Sequence, residues 1–168
     1  RDRRQPGKVR KDERMASPQF QLAQYNIARG VAPLEDPQMS GFVAELDVVN
    51  AEAEASPGFV WRLKGDGGAS SSYVRAYSDP NMLINLTVWD SIEALHNYTY
   101  RSHHADVYRQ RKQWFVPSPD ASFVLWWVPA GEIPTVEEGK ERLEHLQQHG
   151  PTPFAFTFRR SFPPPETA

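Results

Sequence analysis

The sequence has 168 residues, of which 39% are hydrophobic and 12% aromatic, and it carries a formal net charge of −2. This length and apolar content suit one domain with a single modest core. The absence of cysteine excludes disulfides, thiolate nucleophiles and cysteine-based metal sites.

Charge is unevenly distributed along the chain. Residues 1–14 hold seven of the 19 Lys+Arg and three of the 21 Asp+Glu, so the remainder has 12 basic against 18 acidic residues. An acidic body argues against a nucleic-acid surface, because phosphate neutralisation needs clustered basic residues. No apolar run has membrane-spanning length and no signal-peptide core is present. We therefore expect a cytoplasmic protein with neither a nucleic-acid nor a membrane partner.

Three regions are predicted. Residues 1–15 form a basic leader with no apolar periodicity, which we interpret as disordered, with Met15 as the expected native start. Residues 16–162 form a single domain. Residues 163–168 form an irregular proline-rich tail.

The first half of the domain predicts a strand, a helix and a strand. Phe20–Ile27 alternates in the manner of a β-strand. Asp36-Pro37 predicts a helix start, with an N-cap before proline at the first helical position. An apolar stripe continues this helix until Ser56-Pro57-Gly58 stops it, and Phe59–Lys64 follows as a second strand.

The second half begins with a turn or lid at Lys64–Ser72, whose sequence is KGDGGASSS. Met82–Trp89 predicts the third strand and Ser122–Val128 the fourth. A capping box of Thr135 and Glu138 predicts the start of a further helix. Gly150-Pro151 ends that helix, and three alternating phenylalanines then predict a short last strand: Phe154, Phe156 and Phe158.

A helical stripe between the third and fourth strands is the main candidate site. Its members recur at spacings of four, three, four and three, which places them on one face of a helix: Tyr100, His104, Val107, Arg111 and Trp114. Such a face either packs on a sheet or lines a pocket beside one. We expect His104 and Arg111 to face inward, towards the sheet.

The order strand, helix, strand, strand, helix, strand predicts an α+β fold, the ferredoxin-like split β-α-β sandwich. Helices cover one face of such a sheet. The other face also needs cover, which in small domains of this type commonly comes from a second copy. The sequence therefore predicts a homodimer.

The run Leu86–Tyr98, LTVWDSIEALHNY, followed by Ser102-His103-His104, resembles the third strand and second helix of the dimeric α/β-barrel superfamily. That group contains antibiotic-biosynthesis monooxygenases and haem-degrading monooxygenases. From Phe20 to Phe162 the chain more closely resembles domain-of-unknown-function family 3291, which belongs to this superfamily. The resemblance implies a ferredoxin-like dimer that forms a dimeric α/β barrel, and it implies little about chemistry.

Haem-degrading members build their site from a strand asparagine, a helix tryptophan and a later histidine. By this resemblance Asn26 matches the asparagine, Tyr98 stands where the tryptophan would be, and Tyr108 occupies the position of the histidine. Histidine occurs instead one turn earlier, at His104. No cofactor is predicted, and haem is kept as an alternative.

We assign roles to nine residues. His104 is a candidate general base or ligand holder, because a histidine pKa lies near neutrality, although it also fits a hydrogen-bonded core. Arg111 suits an anionic group or a structural salt bridge. Asn26 and Asn85 are candidates to orient a carbonyl or oxyanion. The remaining candidates for contacting a ligand are aromatic and serve equally well as core or dimer interface: Trp61, Tyr98, Tyr100, Trp114 and Trp127.

Three functions remain open from the sequence. The first is a sheet–helix pocket for a small apolar or aromatic molecule, with a cofactor-independent, monooxygenase-like reaction. The second is a haem-binding or haem-transforming protein with His104 as the ligand. The third is a non-enzymatic dimeric binding module. His145 and His149, four residues apart, are more typical of a helix-end cap than of a metal pair, and no metal site is predicted.

Overall fold

A computed structural model describes residues 19–166 of the chain. The predicted leader, residues 1–15, and the last two residues of the tail lie outside this range. The fold is mixed α+β. Its strands are β1 (Phe20–Gly30), β2 (Phe59–Arg62), β3 (Met82–Trp89), β4 (Phe115–Val116) and β5 (Phe123–Pro129). Its helices are α1 (Ser40–Ala55), α2 (Ile92–Arg101), α3 (His103–Arg109), α4 (Arg111–Trp114) and α5 (Val136–His149).

The five strands form one antiparallel sheet in which β1 is central. β3 pairs along one side of β1, with Asn26 opposite Asn85 and Tyr25 opposite Leu86, and β2 pairs with β3 at the sheet edge. The other side of β1 is shared by two strands, because β5 pairs with Phe20–Asn26 and the short β4 pairs with Arg29 and Gly30. Since side chains alternate along a strand, this register sorts the residues of β1, β3 and β5 onto two faces.

We name the two faces after the helices that cover them. The α1 face packs against α1 and α2 and presents Leu22, Gln24, Asn26, Asn85, Thr87, Trp89, Leu125 and Trp127. The α5 face packs against α5 and presents Ala23, Tyr25, Leu86, Val88, Val124 and Trp126. Trp126 and Trp127 thus point to opposite faces, as strand alternation predicted.

The α5 face is covered by the chain itself. Leu143 and Leu146 of α5 pack on it, and so do the apolar residues of segment 74–77. Contact is close at Gly139, where an added Cβ would lie 2.7 Å from Cγ of Tyr25. The expectation of a second copy rested on this face being bare, and that reason does not hold. The homodimer itself stays a prediction.

The loop between β2 and β3 is ordered by its own hydrogen bonds. Lys64 bridges Ser70, and two short 3-10 turns follow one another at Asp66–Gly68 and Ser71–Tyr73. Ser71 Oγ donates to the carbonyl of Ile84 at 2.8 Å, so the loop covers the edge of β3 that lies beyond β2. The predicted turn is therefore packed against the sheet.

Three helix starts are capped by a side chain that accepts a hydrogen bond from the backbone. The side chain of Asp36 accepts from Gln38 N, that of Ser102 from His104 N, and that of Thr135 from Glu138 N. Asp36 begins a 3-10 turn over Pro37–Met39 that leads into α1. No helix within residues 19–166 combines the length and the apolar character that crossing a membrane requires.

One predicted strand differs from the structure, and one short strand was not predicted. The predicted strand over Phe154–Phe158 is reduced to single bridges, in which Phe156 pairs with Leu125 and Ala155 with Thr152. Only Phe156 continues the sheet, on the edge of β5 that does not face β1. β4 has two residues, which are too few to show the alternation by which a strand is predicted.

Candidate functional site

The five residues predicted to share one helical face are divided among three separate helices, so the predicted single face does not exist. Ser102 has an extended backbone and separates α2 from α3, and Gln110 separates α3 from α4. The hydroxyl of Ser102 donates to Tyr98 O and accepts from His104 N, so it satisfies backbone groups that an unbroken helix would pair. A spacing of 3.6 residues per turn keeps side chains on one face only within one helix.

Tyr100 and Arg111 consequently point away from the sheet. Tyr100 is 53% exposed and lies beside His96 on the outside of α2. Arg111 is exposed, donates to the carbonyl of Tyr108 at 3.2 Å and stacks its guanidinium 4.2 Å from the centroid of that ring. The prediction that Arg111 faces inward is wrong.

His104, in contrast, is turned inward. Its Nδ1 lies 3.3 Å from the carbonyl oxygen of Thr99, which can only accept, so Nδ1 carries the proton and donates. Burial lowers the pKa of His104, outweighing the opposing effect of the Thr99 carbonyl. The imidazole is therefore neutral at pH 7 and has its lone pair on Nε2, the form required of a base or a metal ligand.

An aromatic wall joins His104 to the sheet. The ring of Tyr98 lies 5.2 Å from that of His104 and stacks on Trp89 at 5.1 Å between centroids. Its hydroxyl donates to the carbonyl of Val49 in α1 at 3.1 Å. Burial raises the pKa of Tyr98, so the hydroxyl stays protonated and the ring stays in place between α1 and α2.

Polar side chains form a connected row on the α1 face. Trp89 Nε1 donates to Thr87 Oγ1 at 2.9 Å, and Thr87 Oγ1 donates to Gln24 Oε1 at 2.9 Å. Gln24 Nε2 donates to Asn26 Oδ1 at 2.5 Å. Asn85 lies opposite Asn26 across the two strands. The structure thus brings the predicted residues His104, Tyr98, Asn26 and Asn85 to one side of the sheet, linked through Trp89.

The three predicted tryptophans lie apart from this row. Trp61 packs on the α5 face, on the other side of the sheet. Trp114 is buried in a separate cluster with Met39, where an added Cβ at Gly41 would lie 3.3 Å from its ring. Trp127 is on the α1 face and donates from Nε1 to the carbonyl of Phe162 at 2.8 Å, which holds the tail.

The helix that carries His104 is attached to α1 by two carboxylates. His103 Nε2 lies 2.5 Å from Glu45 Oε2, and His103 N donates to Glu52 Oε1 at 3.0 Å. The hydrogen bond to Glu45 is the main cause that raises the pKa of His103, with smaller effects of Asp106 and Glu52. The pKa of His103 is therefore raised and that of its neighbour His104 is lowered, because His103 lies at the surface beside carboxylates and His104 is turned inward.

Two cavities of the described chain lie away from this row. One of about 300 Å³ is lined by α5 and the following loop: Glu141, Glu144, His145, Gln148 and Phe154. The other, of about 370 Å³, lies between the start of α2, Trp127 and the tail. Neither is lined by Asn26 or His104.

His145 and His149 lie side by side, with ring centroids 4.5 Å apart. Nδ1 of His145 is buried and has no hydrogen-bond partner within residues 19–166. Across that same range, no group of three or more acidic, histidine or cysteine side chains is placed to hold a metal ion.

Sequence reasoning assigned no site role to the supporting residues Gln24, Thr87 and Trp89. The available signal was a polar side chain at every second position of two strands, at positions 24 and 26 and at 85 and 87. Glu45 and Glu52 gave no signal, because a carboxylate on a helix is most often solvent-exposed.

A sequence model of the family described as "Domain of unknown function (DUF3291)" matches residues 21–168. No curated protein shows significant similarity to the chain. The crystal structure of PA3566 from Pseudomonas aeruginosa is similar at a TM-score of 0.45 and 13% identity, covering 67% of this chain and 96% of that one. A protein of unknown function from Nitrosomonas europaea, NE2512, is similar at a TM-score of 0.43 and 12% identity, covering 70% and 97%.

Proposed function

The chain belongs to the family Domain of unknown function (DUF3291), and from this premise we propose that the α1 face binds a small apolar or aromatic molecule. The observation that carries the proposal is the neutral imidazole of His104, which lies beside the ring of Tyr98, and Tyr98 stacks on Trp89 at the end of the polar row. Rings supply apolar contact and a few amides supply orientation, the usual composition of a small-molecule site.

We propose a cofactor-independent, monooxygenase-like oxidation as the activity. His104 Nε2 accepts a proton from an acidic ring carbon of the substrate, and Asn26 and Asn85 donate to the oxygen of the enolate that forms. A base whose pKa is at or below neutrality is unprotonated at pH 7, which suits this role. Arg111 is not part of this proposal, since it lies at the surface.

The reaction balances with oxygen as the only co-substrate. The enolate carbon bonds to O₂ and forms a peroxide anion, which takes the proton back from His104. The hydroperoxide then loses its remaining C–H proton and breaks its O–O bond, and the hydroxide that leaves takes up that proton. The products are a ring ketone and water. A methylene that becomes a ketone supplies four electrons, which are the four that O₂ accepts.

Haem does not fit the residues around His104. The ring of Tyr98 packs on the imidazole and is anchored to Val49, and Trp89 stacks behind it. A porphyrin would have to displace this stack. We therefore derive no step through haem.

We also propose the ferredoxin-like split β-α-β arrangement for this fold. The antiparallel order β2–β3–β1–β5, with α1 connecting β1 to β2 and α2 following β3, supports it. The dimeric α/β barrel and the homodimer remain predictions, to be tested by light scattering on the eluted protein. A barrel formed through the α5 face would require α5 to move.

Oxygen uptake tests the activity. Anthrone, a tricyclic ketone with an acidic ring methylene, is supplied to the full-length protein, and the products are anthraquinone and water in equal amounts. Since a general base contributes about 10²–10⁴-fold, we expect His104→Gln to lower the rate at least about 100-fold. His96→Gln is the matched control, because His96 is exposed on α2.

Equal rates for the wild type and His104→Gln would reject the assigned base. No oxygen uptake, combined with retention of anthrone by the protein, would favour the non-enzymatic binding module. Absence of both uptake and binding would contradict the proposed site for this class of molecule.

A further inference from the structure

We propose that Trp89, Thr87 and Gln24 are positioning residues that fix the amide of Asn26 with its N–H groups available to the ligand. The site then selects a molecule that presents a hydrogen-bond acceptor, a carbonyl or enolate oxygen, to Asn26. This inference rests on the proposed ligand site on the α1 face and adds which chemical group the site recognises.

The direction of the chain follows from donor and acceptor chemistry. An indole N–H can only donate, so Trp89 Nε1 donates to Thr87 Oγ1 at 2.9 Å. The hydroxyl of Thr87 then donates its own hydrogen to Gln24, and the atom that it meets at 2.9 Å must be the carbonyl Oε1. Each hydrogen bond therefore fixes which atom donates and which accepts in the next one.

The same reasoning sets the orientation of Asn26. With Oε1 of Gln24 bound to Thr87, its Nε2 faces Asn26 and donates to Oδ1 at 2.5 Å. The oxygen of the Asn26 amide is thereby used within the protein. Its Nδ2 carries the two hydrogens that are left for a ligand.

Burial holds this polarity in place. Trp89 is fully buried, Gln24 is 4% exposed and Thr87 is 6% exposed, so water does not compete for these bonds. Reversing Gln24 would leave the Thr87 hydroxyl hydrogen facing a donor, and an unpaired polar group in a buried position is costly. Asn26, at the end of the hydrogen-bonded row, is less buried than Gln24.

Asn85 differs from Asn26 although the two lie opposite each other. Its nearest hydrogen-bond partner is Ser71 Oγ, at 3.5 Å from Nδ2, which is a weak contact. Ser71 Oγ itself donates to the carbonyl of Ile84, so the amide of Asn85 is held only through this one long contact. Selectivity for an acceptor is therefore assigned to Asn26.

The test uses two probes of nearly the same shape. Acetophenone carries a carbonyl where α-methylstyrene carries a methylidene group, and both are titrated into the full-length protein while side-chain amide and indole NMR signals are followed. One hydrogen bond is worth about 1–1.5 kcal/mol, so we expect acetophenone to bind about five- to tenfold more tightly.

Three variants separate positioning from a merely structural role. Thr87→Val keeps the shape and removes the hydroxyl, so Gln24 and Asn26 lose their fixed direction and the preference should fall below about twofold. Thr87→Ser keeps the hydroxyl and should restore the preference. Thr152→Val is the matched control, because Thr152 Oγ1 is buried without a hydrogen-bond partner in the described part of the chain.

Each outcome has one reading. Equal binding of the two probes to the wild type, or a preference that Thr87→Val leaves unchanged, would overturn the inference while the ligand site stands. Failure of both probes to bind would reject the proposed ligand site, and the inference with it. A loss of preference that also occurs in Thr152→Val would reject Thr87 as a positioning residue.

Discussion

The two faces of the sheet use the same three strands for different purposes. The buried side chains that β1, β3 and β5 present on the α5 face are all apolar or aromatic, and α5 lies so close that a Cβ added at Gly139 would be 2.7 Å from Cγ of Tyr25. The α1 face interrupts its apolar residues with a connected row of amides and a hydroxyl. Side chains of adjacent strand positions thus serve packing on one face and form a hydrogen-bonded polar row on the other.

This difference indicates where the chain tolerates change. Packing energy scales with apolar area removed from water, so the α5 face contributes most to stability. Polar side chains contribute little net stability even when paired, because folding exchanges their bonds to water for bonds to protein. The row of Thr87, Gln24 and Asn26 is therefore expected to contribute little to stability.

The largest expected effect comes from neighbouring residues of β3 that point to opposite faces. Leu86→Ala removes a fully buried side chain from the α5 face and should destabilise the protein by about 2–5 kcal/mol. Asn85→Ala, on the α1 face, should cost about 1 kcal/mol or less. Urea unfolding of both variants measures the difference. Similar losses would mean that the two faces contribute equally to stability.

A smaller effect is expected where α5 meets the sheet. Gly139→Ala places a Cβ 2.7 Å from Cγ of Tyr25, whose ring is fully buried. Overpacking costs about 1–3 kcal/mol, which outweighs the gain of up to about 1 kcal/mol that alanine brings to a helix.

Gly41→Ala is the control for this substitution. Its Cβ would lie 3.3 Å from the Trp114 ring, a milder contact, so we expect a change within about 0.5 kcal/mol of the wild type. Thermal unfolding of the two variants compares them. A stabilised Gly139→Ala protein would show that α5 is free to shift away from the sheet.

The smallest effects concern pH and are confined to the α1 face. The pKa of His103 is raised in the fold, so its contribution to stability is complete below the ordinary histidine value of about 6.5 and is lost as pH rises through the raised value. The pKa of His104 is lowered, so its contribution is complete above about 6.5 and is lost as pH falls through the lowered value.

Urea unfolding midpoints measured from about pH 5 to about pH 9, on both sides of the ordinary histidine pKa of about 6.5, test the direction of both effects. His103→Gln should remove the loss on the alkaline side, and His104→Gln should remove the loss on the acid side. We expect the His103 effect to be slight, since solvent screens a surface ion pair. A profile that neither substitution changes would contradict the assigned environments of both residues.

Local patterns predicted the elements and several of their boundaries. Alternation located Met82–Trp89 to the residue, and the capping residue Thr135 began a helix as expected. These signals are short-range, because a strand is recognised by period two and a helix start by one side chain that accepts from the backbone. The ends of β1 and β2 depended on their partners and were missed by two or three residues.

The candidate site was predicted in part. Asn26, Asn85, Tyr98 and His104 lie on the α1 face, whereas Tyr100 and Arg111 are at the surface and Trp61 is on the other face. The error at positions 100 and 111 has one cause. Ser102 can either continue a helix or cap a new one, and its hydrogen bonds to Tyr98 and His104 select the second.

The sequence by itself determined the α+β composition, the order of its elements, the alternation that puts amides and apolar groups on opposite faces, and the family. Tertiary structure decided which helix covers which face, that α5 closes the side for which a second copy was expected, and that an indole directs the polarity of the Asn26 amide. The physical reason is the separation along the sequence over which each effect acts. Periodicity and caps act within a turn or two of chain, whereas coverage and hydrogen-bond direction depend on residues tens of positions apart, which only the folded chain brings into contact.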